Sequence, residues 1–124
     1  MPANFDRRSV CPVSCTLDLI GDKWTLLVIR DLFAGKTKFK EFLQSPEHIA
    51  TNILTERLTR LCEHGLVERQ TSDVHAGRCD YALTAKGLTL LRVLQSVAAW
   101  GLQHIEGTAA LIRPLPPQGP DPNG

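Results

Sequence analysis

Long apolar runs are missing from the 124 residues: none could span a membrane, and the N-terminus lacks the charged-then-apolar pattern of a secretion signal. Excess charge is also missing, because the formal net charge is only +1. A nucleic-acid-binding surface would therefore have to come from local clusters of basic residues. The four cysteines show no ladder of regular spacings, which favours reduced thiols over a secreted disulfide framework. These absences predict a single-domain cytoplasmic protein without a membrane partner.

Catalytic motifs are missing as well. The sequence has no glycine-rich phosphate loop, no zincin helix and no nucleophile elbow, and its acidic residues are scattered. We therefore predict neither an enzyme nor a bound cofactor. Cys11, Cys15, Cys62 and His64 are the side chains to consider as metal ligands, but their spacing matches none of the usual zinc patterns. The sequence predicts no metal site.

What the chain does have is a pair of short amphipathic helices between residues 39 and 64. Apolar residues recur at helical spacing in two groups: Phe39, Phe42 and Leu43, then Leu54, Leu58 and Leu61. Ser45-Pro46 interrupts the first group, because the residue before a proline is disfavoured in a helix, and Gly65 suits the end of the second helix. The outer face of the second helix carries polar residues: Asn52, Thr55, Glu56, Thr59 and Glu63. This helix has the shape that enters a DNA major groove, although such pairs also occur in proteins that never bind DNA.

Two strand-like runs follow the helix pair directly. Val67 to Thr71 and Cys79 to Leu83 are the predicted strands, joined by residues 72–78. Helix, corner, helix and hairpin in this order predict a winged helix. In that arrangement the hairpin tip, here with His75 and Arg78, reaches the DNA backbone beside the groove. The alternative is a hairpin that only forms an edge of the core.

Further helices flank this unit. Pro12 suits the first helical position, and a helix is predicted from Val13 to Ile20, with another around Trp24 to Leu32. The residues predicted to cap helix N-termini are Cys11, Asp22, Thr37 and Thr84. The elements predict a mainly α fold with a small β-hairpin. We expect a polar arm at residues 1–10, the domain at 11–108 and a proline-rich tail at 109–124 that cannot bury enough apolar surface to become ordered.

A long final helix is predicted from Ala85 to Ile105. It carries two apolar stripes: Leu91, Leu94, Ala98, Leu102 and Ile105 in one, and Leu90, Val93, Val97 and Trp100 in the other. A helix that is apolar on two sides has more apolar surface than its own small domain can cover. We therefore predict a homodimer built on this C-terminal helix, which would set two recognition helices about 34 Å apart, one turn of B-DNA.

Several short pieces keep a shared order and spacing from about residue 11 to residue 105. They are Cys11-Pro12, Leu17-Asp18-Leu19-Ile20-Gly21-Asp22-Lys23-Trp24-Thr25, Phe39, Phe42-Leu43, Ile49, Leu54-Thr55-Glu56-Arg57-Leu58, Leu61, Gly65-Leu66-Val67, Arg69, Tyr81, Leu83-Thr84, Gly87 and Trp100-Gly101. This combined pattern resembles the HxlR-type winged helix-turn-helix transcriptional regulators of bacteria and archaea. The resemblance implies a homodimeric DNA-binding repressor or activator with its recognition helix from about Thr51 to His64. Many relatives carry serine where this chain has Ala50, so Thr51 is expected to take over the cap.

Double-stranded DNA and a second copy of the chain are thus the predicted partners. The predicted DNA-binding residues are Lys38, Lys40, Thr51, Asn52, Thr55, Thr59, Arg60, Arg69, His75 and Arg78. Arg60 is expected nearer the solvent face, whereas Arg57 could pair with a carboxylate as readily as with a phosphate. The lysines around Phe39 could equally form only a solvated face. The alternative function is a winged-helix module for protein–protein contact, which the modest net charge keeps open.

Cys11 is the predicted redox- or electrophile-sensing residue, so an oxidant or small-molecule effector is expected. The resemblance implies this role, because several family members sense such compounds through a cysteine just before the proline. The residues allow it independently, since an N-cap cysteine faces the positive end of the helix dipole and Arg7 and Arg8 add positive potential. An intersubunit disulfide or an adduct is expected rather than a bridge to Cys15 on the same rigid helix. The alternative is a cysteine that only packs.

Overall fold

The computed structural model describes residues 8–71 and 79–113. Within these ranges the chain forms α1 (Pro12–Ile20), α2 (Thr25–Phe33), α3 (Phe39–Leu43), α4 (Thr51–Glu63), β1 (Val67–Thr71), β2 (Cys79–Leu83), α5 (Ala85–Leu88) and α6 (Leu91–His104). This is the predicted mainly helical fold, with the helix–corner–helix–hairpin order of a winged helix. The predicted hairpin-tip residues His75 and Arg78 lie outside the described residues. No helix in the described ranges is long and apolar enough to cross a membrane.

The core lies between α2, α3 and α4. The predicted leucine stripe of α4 is confirmed, because Leu54, Leu58 and Leu61 are only 0%, 2% and 1% exposed. Phe42 from α3 and Ile29 from α2 are completely buried beside them. Full burial of one such side chain stabilises the fold by about 1.5–3 kcal/mol, so this cluster fixes which face of α4 points outward.

The hairpin packs on the same core and holds the start of α3. β1 and β2 pair antiparallel, with Val67 opposite Leu83 and Thr71 opposite Cys79, as predicted. Buried Tyr81 meets Phe42 edge-on, with ring centroids 6.3 Å apart. The backbone N–H of Tyr81 donates to the carbonyl of Thr37 at 2.8 Å, and Lys38 forms a β-bridge with Asp80.

The predicted long final helix is wrong in one respect, because it is broken into α5 and α6. Thr84 does cap α5, where its hydroxyl accepts from the backbone N–H of Gly87 at 3.0 Å. The backbone N–H groups of Thr89 and Leu90 then donate to carbonyls three residues back rather than four, which tightens the chain and ends the helix. Gly87 lies so close to Leu66 that an added Cβ would come within 2.0 Å of its carbonyl oxygen.

Three of the predicted caps differ in the structure. Lys38, not Thr37, is the N-cap of α3, and the Glu41 carboxylate accepts the backbone N–H groups of both residues at 2.9 Å. Ala50 is the N-cap of α4, so Thr51 is the first helical residue and does not take over the cap. Asp22 acts from two residues before the N-cap Trp24, where its carboxylate accepts the N–H groups of Trp24 and Thr25 at 3.1 Å.

Candidate nucleic-acid interface

The outer face of α4 is polar and carries four of the ten predicted DNA-binding residues. Thr51, Asn52, Thr55 and Thr59 are all exposed there. The hydroxyl groups of Thr55 and Thr59 donate to the carbonyls of Thr51 (2.9 Å) and Thr55 (2.8 Å), and their oxygen atoms can still accept from a ligand. No described residue bonds the side-chain amide of Asn52, which leaves its donors and its acceptor to solvent. Uncharged groups of this kind suit the edges of bases.

The N-terminus of α4 leaves its first backbone N–H groups without a side-chain cap. Ala50 has no oxygen to offer them, and no other described side chain takes its place. The first four N–H groups of a helix have no partner within the helix, and they lie at the positive end of the helix dipole. Such an end attracts a phosphate group. The departure at Ala50 therefore frees donors at the position where a DNA backbone would pass.

The two lysines predicted to contact DNA lie at the start of α3 in different situations. Lys38 is half-exposed and its ammonium group lies 2.8 Å from the Asp80 carboxylate of β2. Lys40 is exposed and has no hydrogen-bond or ion-pair partner among the described residues. A surface pair such as Lys38–Asp80 is worth only about 0–1 kcal/mol, so a phosphate could compete for Lys38. Lys40 offers the freer charge.

The arginines of α4 point away from its outer face. Arg57 donates to the Asp22 carboxylate at 2.8 Å, which settles its predicted ambiguity in favour of a carboxylate. Arg60 donates to the carbonyl of Leu19 at 2.8 Å and is only half-exposed. Arg60 is nearer the solvent face than Arg57, as expected, because its side chain is 31% exposed against 19% for Arg57, but the C-terminal end of α1 offers it an acceptor. The outer face keeps two acidic residues instead, Glu56 and Glu63.

Asp22 is the centre of a hydrogen-bond cluster that the sequence indicated only as a cap. Its burial works against ionisation, but hydrogen bonds from the Thr25 hydroxyl and the Arg57 guanidinium hold the pKa of this carboxyl well below its usual range. Asp22 is therefore an anion that joins the α1–α2 junction to α4. The spacing of Asp22 and Arg57, 35 residues apart, gives no sequence signal for this contact.

A second buried polar cluster supports the corner between α3 and α4. Arg30 is 8% exposed and donates to both carboxylate oxygens of Glu47, at 2.7 and 2.8 Å, and to Asp31 at 2.9 Å. Ser45 donates to Asp31 and accepts from Lys36. Two-point pairing of arginine with a carboxylate is strong and directional. These contacts hold residues 45–47, and sequence reasoning missed them because Arg30 and Asp31 lie within a helix that otherwise reads as apolar.

Arg69 is tied to the hairpin. It is exposed on β1, its guanidinium lies 5.9 Å from the centre of the Tyr81 ring, and one of its nitrogens is 3.1 Å from the Cys79 sulfur. This location is beside the hairpin rather than on the outer face of α4. The described structure thus brings Thr51, Asn52, Thr55 and Thr59 together and places Arg60 elsewhere.

Cys11 is the exposed N-cap of α1, as predicted. The nearby backbone N–H groups of Ser14 and Val13 at the start of α1 lower the pKa of this thiol. Arg8 does not contribute as expected, because it pairs with Asp18 at 2.7 Å, while Arg7 lies outside the described residues. In contrast, burial raises the pKa of the Cys62 thiol on α4. No cluster of three potential metal ligands occurs in the described ranges.

The exposed faces of α1 and α6 form an apolar groove on the side of the domain that carries Cys11. Its cavity volume is about 460 Å³, and its lining includes Val13, Leu17, Val93 and Val97. These four side chains are 65%, 53%, 38% and 54% exposed, and nearby Trp100 is 61% exposed. The other predicted stripe of the final helix includes the buried Leu94. Leu102 and Ile105 at the end of that stripe are exposed, while the stripe with Val93, Val97 and Trp100 is exposed at all three of these residues and is anchored to the core only at Leu90.

Comparison with known proteins places this geometry among transcriptional regulators. A family model described as HxlR-like helix-turn-helix matches residues 19–109. The HTH-type regulator sll1512 of Synechocystis is 31% identical over 117 residues, which cover 94% of this chain and 87% of that protein. The regulator YodB of Bacillus subtilis is 34% identical over 100 residues, with coverage of 80% and 89%, and its reduced structure matches with a TM-score of 0.65. The reduced form of the redox regulator HypR matches with a TM-score of 0.69 and 32% identity, over 75% of this chain and 92% of that one.

Proposed function

The chain belongs to the HxlR-like helix-turn-helix family, and from this premise we propose that it is a sequence-specific transcriptional regulator that binds operator DNA as a homodimer. The observation that carries the proposal is the outer face of α4, with uncharged Asn52, Thr55 and Thr59 beside an uncapped helix N-terminus. The side chains of Asn52, Thr55 and Thr59 suit base edges, and they lie next to the N-terminal backbone N–H groups of α4, which suit a phosphate. Because the proposed DNA target lies in the cytoplasm, we expect the protein to act in that compartment.

The test is fluorescence anisotropy with a labelled duplex of the promoter region upstream of the protein's own gene. Phosphate contacts release counterions, so about six to ten contacts should lower the affinity about 10³–10⁵-fold between 50 and 200 mM salt. Lys40→Ala and Arg78→Ala should weaken binding to all duplexes alike and reduce the salt slope by about one each. An affinity that changes neither with the salt concentration nor with either substitution would contradict the proposal.

The homodimer is proposed to form through the groove between α1 and α6. This face exposes Val13, Leu17, Val97 and Trp100 in a single copy, and an exposed apolar patch of this kind indicates a partner surface. A two-fold axis beside α6 would bring the same groove of both copies together. It would also present two α4 helices to successive major grooves, about 34 Å apart.

Cys11 is proposed as the sensor of an oxidant or electrophile. Its exposure and its lowered pKa favour the reactive thiolate. It begins the helix that lines the proposed dimer groove, so an adduct or an intersubunit disulfide there would change how the two copies meet. The similar proteins HypR and YodB have been studied in oxidised and diamide-treated forms.

The experiment for this role compares operator affinity of the wild type and Cys11→Ser, each before and after mild diamide treatment. We expect the treatment to change the affinity of the wild type by about tenfold or more, the scale of a 1.4 kcal/mol coupling, and to leave Cys11→Ser unchanged. Cys15→Ser, one helical turn away, is the matched control and should respond like the wild type. An equal response in all three proteins would make Cys11 a packing residue.

A protein–protein interaction module is the second candidate, and one observation favours it. The outer face of α4 carries Glu56 and Glu63, while Arg57 and Arg60 turn inward, so the face itself has no outward basic residue among those described. Acidic side chains repel a DNA backbone at short range. The anisotropy experiment separates the two functions, because an interaction module would not bind the duplex at either salt concentration.

A further inference from the structure

Two arginines one turn apart on α4 form hydrogen bonds to the junction between α1 and α2. Arg57 donates from its Nε to the Asp22 carboxylate at 2.8 Å, and Arg60 donates to the Leu19 carbonyl at 2.8 Å. Arg60 also lies 3.9 Å from the second Asp22 oxygen. Arg57 also donates from its Nη1 to the neighbouring Glu56, and the two arginines together connect α4 to the last turn of α1.

The same carboxylate serves α2. Asp22 accepts the backbone N–H groups of Trp24 and Thr25 at 3.1 Å, and it also accepts the Thr25 hydroxyl. The carboxylate is thus fixed on the α2 side by the backbone and on the α4 side by a guanidinium. Because Thr25 is buried and the Asp22 and Arg57 side chains are only 25% and 19% exposed, water competes weakly for these bonds.

Little else holds α1 in place. Ile20 is the only fully buried residue of α1 and half-buried Leu19 packs against the core beside it, whereas Val13 and Leu17 are largely exposed. The orientation of α1 relative to α4 must therefore be set at the Leu19–Asp22 end, where the arginine contacts lie. Charge-assisted hydrogen bonds are short and directional, so they define an angle between the helices more sharply than the packing of these two apolar side chains.

We propose that Asp22 and Arg57 are positioning residues that set the orientation of the α4 outer face relative to α1, the helix that lines the apolar groove. This inference rests on the proposed DNA-binding function, because it deepens the account of how that face is presented to an operator. Neither residue touches DNA. In a dimer joined through α1 and α6, the contact determines the angle at which each α4 meets its half-site.

The test uses Asp22→Asn and Arg57→Gln in the full chain. Asparagine keeps an oxygen for the Trp24 and Thr25 N–H groups, removes the charge that attracts Arg57 and replaces the oxygen that accepts the Thr25 hydroxyl by an amide NH2. Asp18→Asn is the matched control, because Asp18 lies on α1 and also binds an arginine, Arg8, but not α4. Residual dipolar couplings report the orientation of α4 against α1 without DNA, and anisotropy reports affinity for the promoter duplex and for a poly(dI-dC) duplex.

We expect both variants to change the dipolar couplings of α4 and to lower promoter affinity about tenfold, the effect of one charge-assisted bond. Poly(dI-dC) affinity should stay within about twofold, and the double variant should lose no more than either single one. Unchanged couplings, or a parallel loss on both duplexes, would overturn the inference. If the wild type itself does not prefer the promoter duplex, the proposed function fails, and the couplings alone still decide whether Asp22 and Arg57 position α4.

Discussion

The helices α4 and α6 have nearly the same length, 13 and 14 residues, and each exposes one long face. The face of α4 is polar and begins with the uncharged residues Thr51, Asn52 and Thr55. The face of α6 is apolar, with Val97 54% and Trp100 61% exposed. A polar face is stable in water. An exposed apolar face is unfavourable in water, and covering it with a partner stabilises the complex. This difference favours contact with another protein chain at α6 and with a hydrated, polar ligand at α4.

Making the α6 face polar should have the largest effect. We expect Val97→Glu to give a monomer by sedimentation and to lower operator affinity about 100-fold or more, because linking two binding modules gains about 10²–10⁴. The monomer should remain folded, since surface substitutions usually change stability by less than about 0.5 kcal/mol. Gln103→Glu adds the same side chain at an exposed position of α6 that does not line the groove. A Val97→Glu protein that is still dimeric would contradict the proposed role of the α6 face in dimerisation.

Truncating the α4 face should have a smaller and more selective effect. Asn52→Ala is expected to lower affinity for the preferred sequence by the about 1–3 kcal/mol of a bidentate base contact, with little change on other sequences. Glu63→Ala, near the C-terminal end of the same helix, is the control and should not reduce the preference. Competition with duplexes substituted at single base pairs measures both. A uniform loss across all sequences would make Asn52 a backbone contact instead.

The smallest expected effect is a difference in reactivity between the thiols of Cys11 and Cys62, which lie beside the two faces. The pKa of Cys11 is lowered by the backbone N–H groups at the start of α1, and the pKa of Cys62 is raised by burial. Only the thiolate is alkylated, so the rate at Cys11 should rise at lower pH than the rate at Cys62. Iodoacetamide labelling across a pH series, followed by peptide mass spectrometry, measures the two midpoints in one sample. Coincident midpoints would show that the N-cap position gives Cys11 no advantage.

The sequence predicted the elements that periodicity and local chemistry determine. The leucine stripe of α4, the glycine that ends it and both strands of the hairpin follow from spacing and from residue type. The break at Thr89 could not be predicted, because the helical spacing of apolar residues continues across it. The directions of Arg57 and Arg60 could not either, because a long side chain takes the acceptor that tertiary structure brings near it.

The short bridge between Lys38 and Asp80 has a consequence for solubility. A strand at the edge of a sheet presents unpaired backbone groups that can template pairing with another chain. Here the chain before α3 takes the Tyr81 N–H on the outer side of β2, so β2 is not a free edge. The open edge belongs to β1, and its exposed residues include Glu68 and Arg69. Charged side chains on an open edge oppose strand addition, so the exposed edge of β1 is protected against pairing with a strand of another chain.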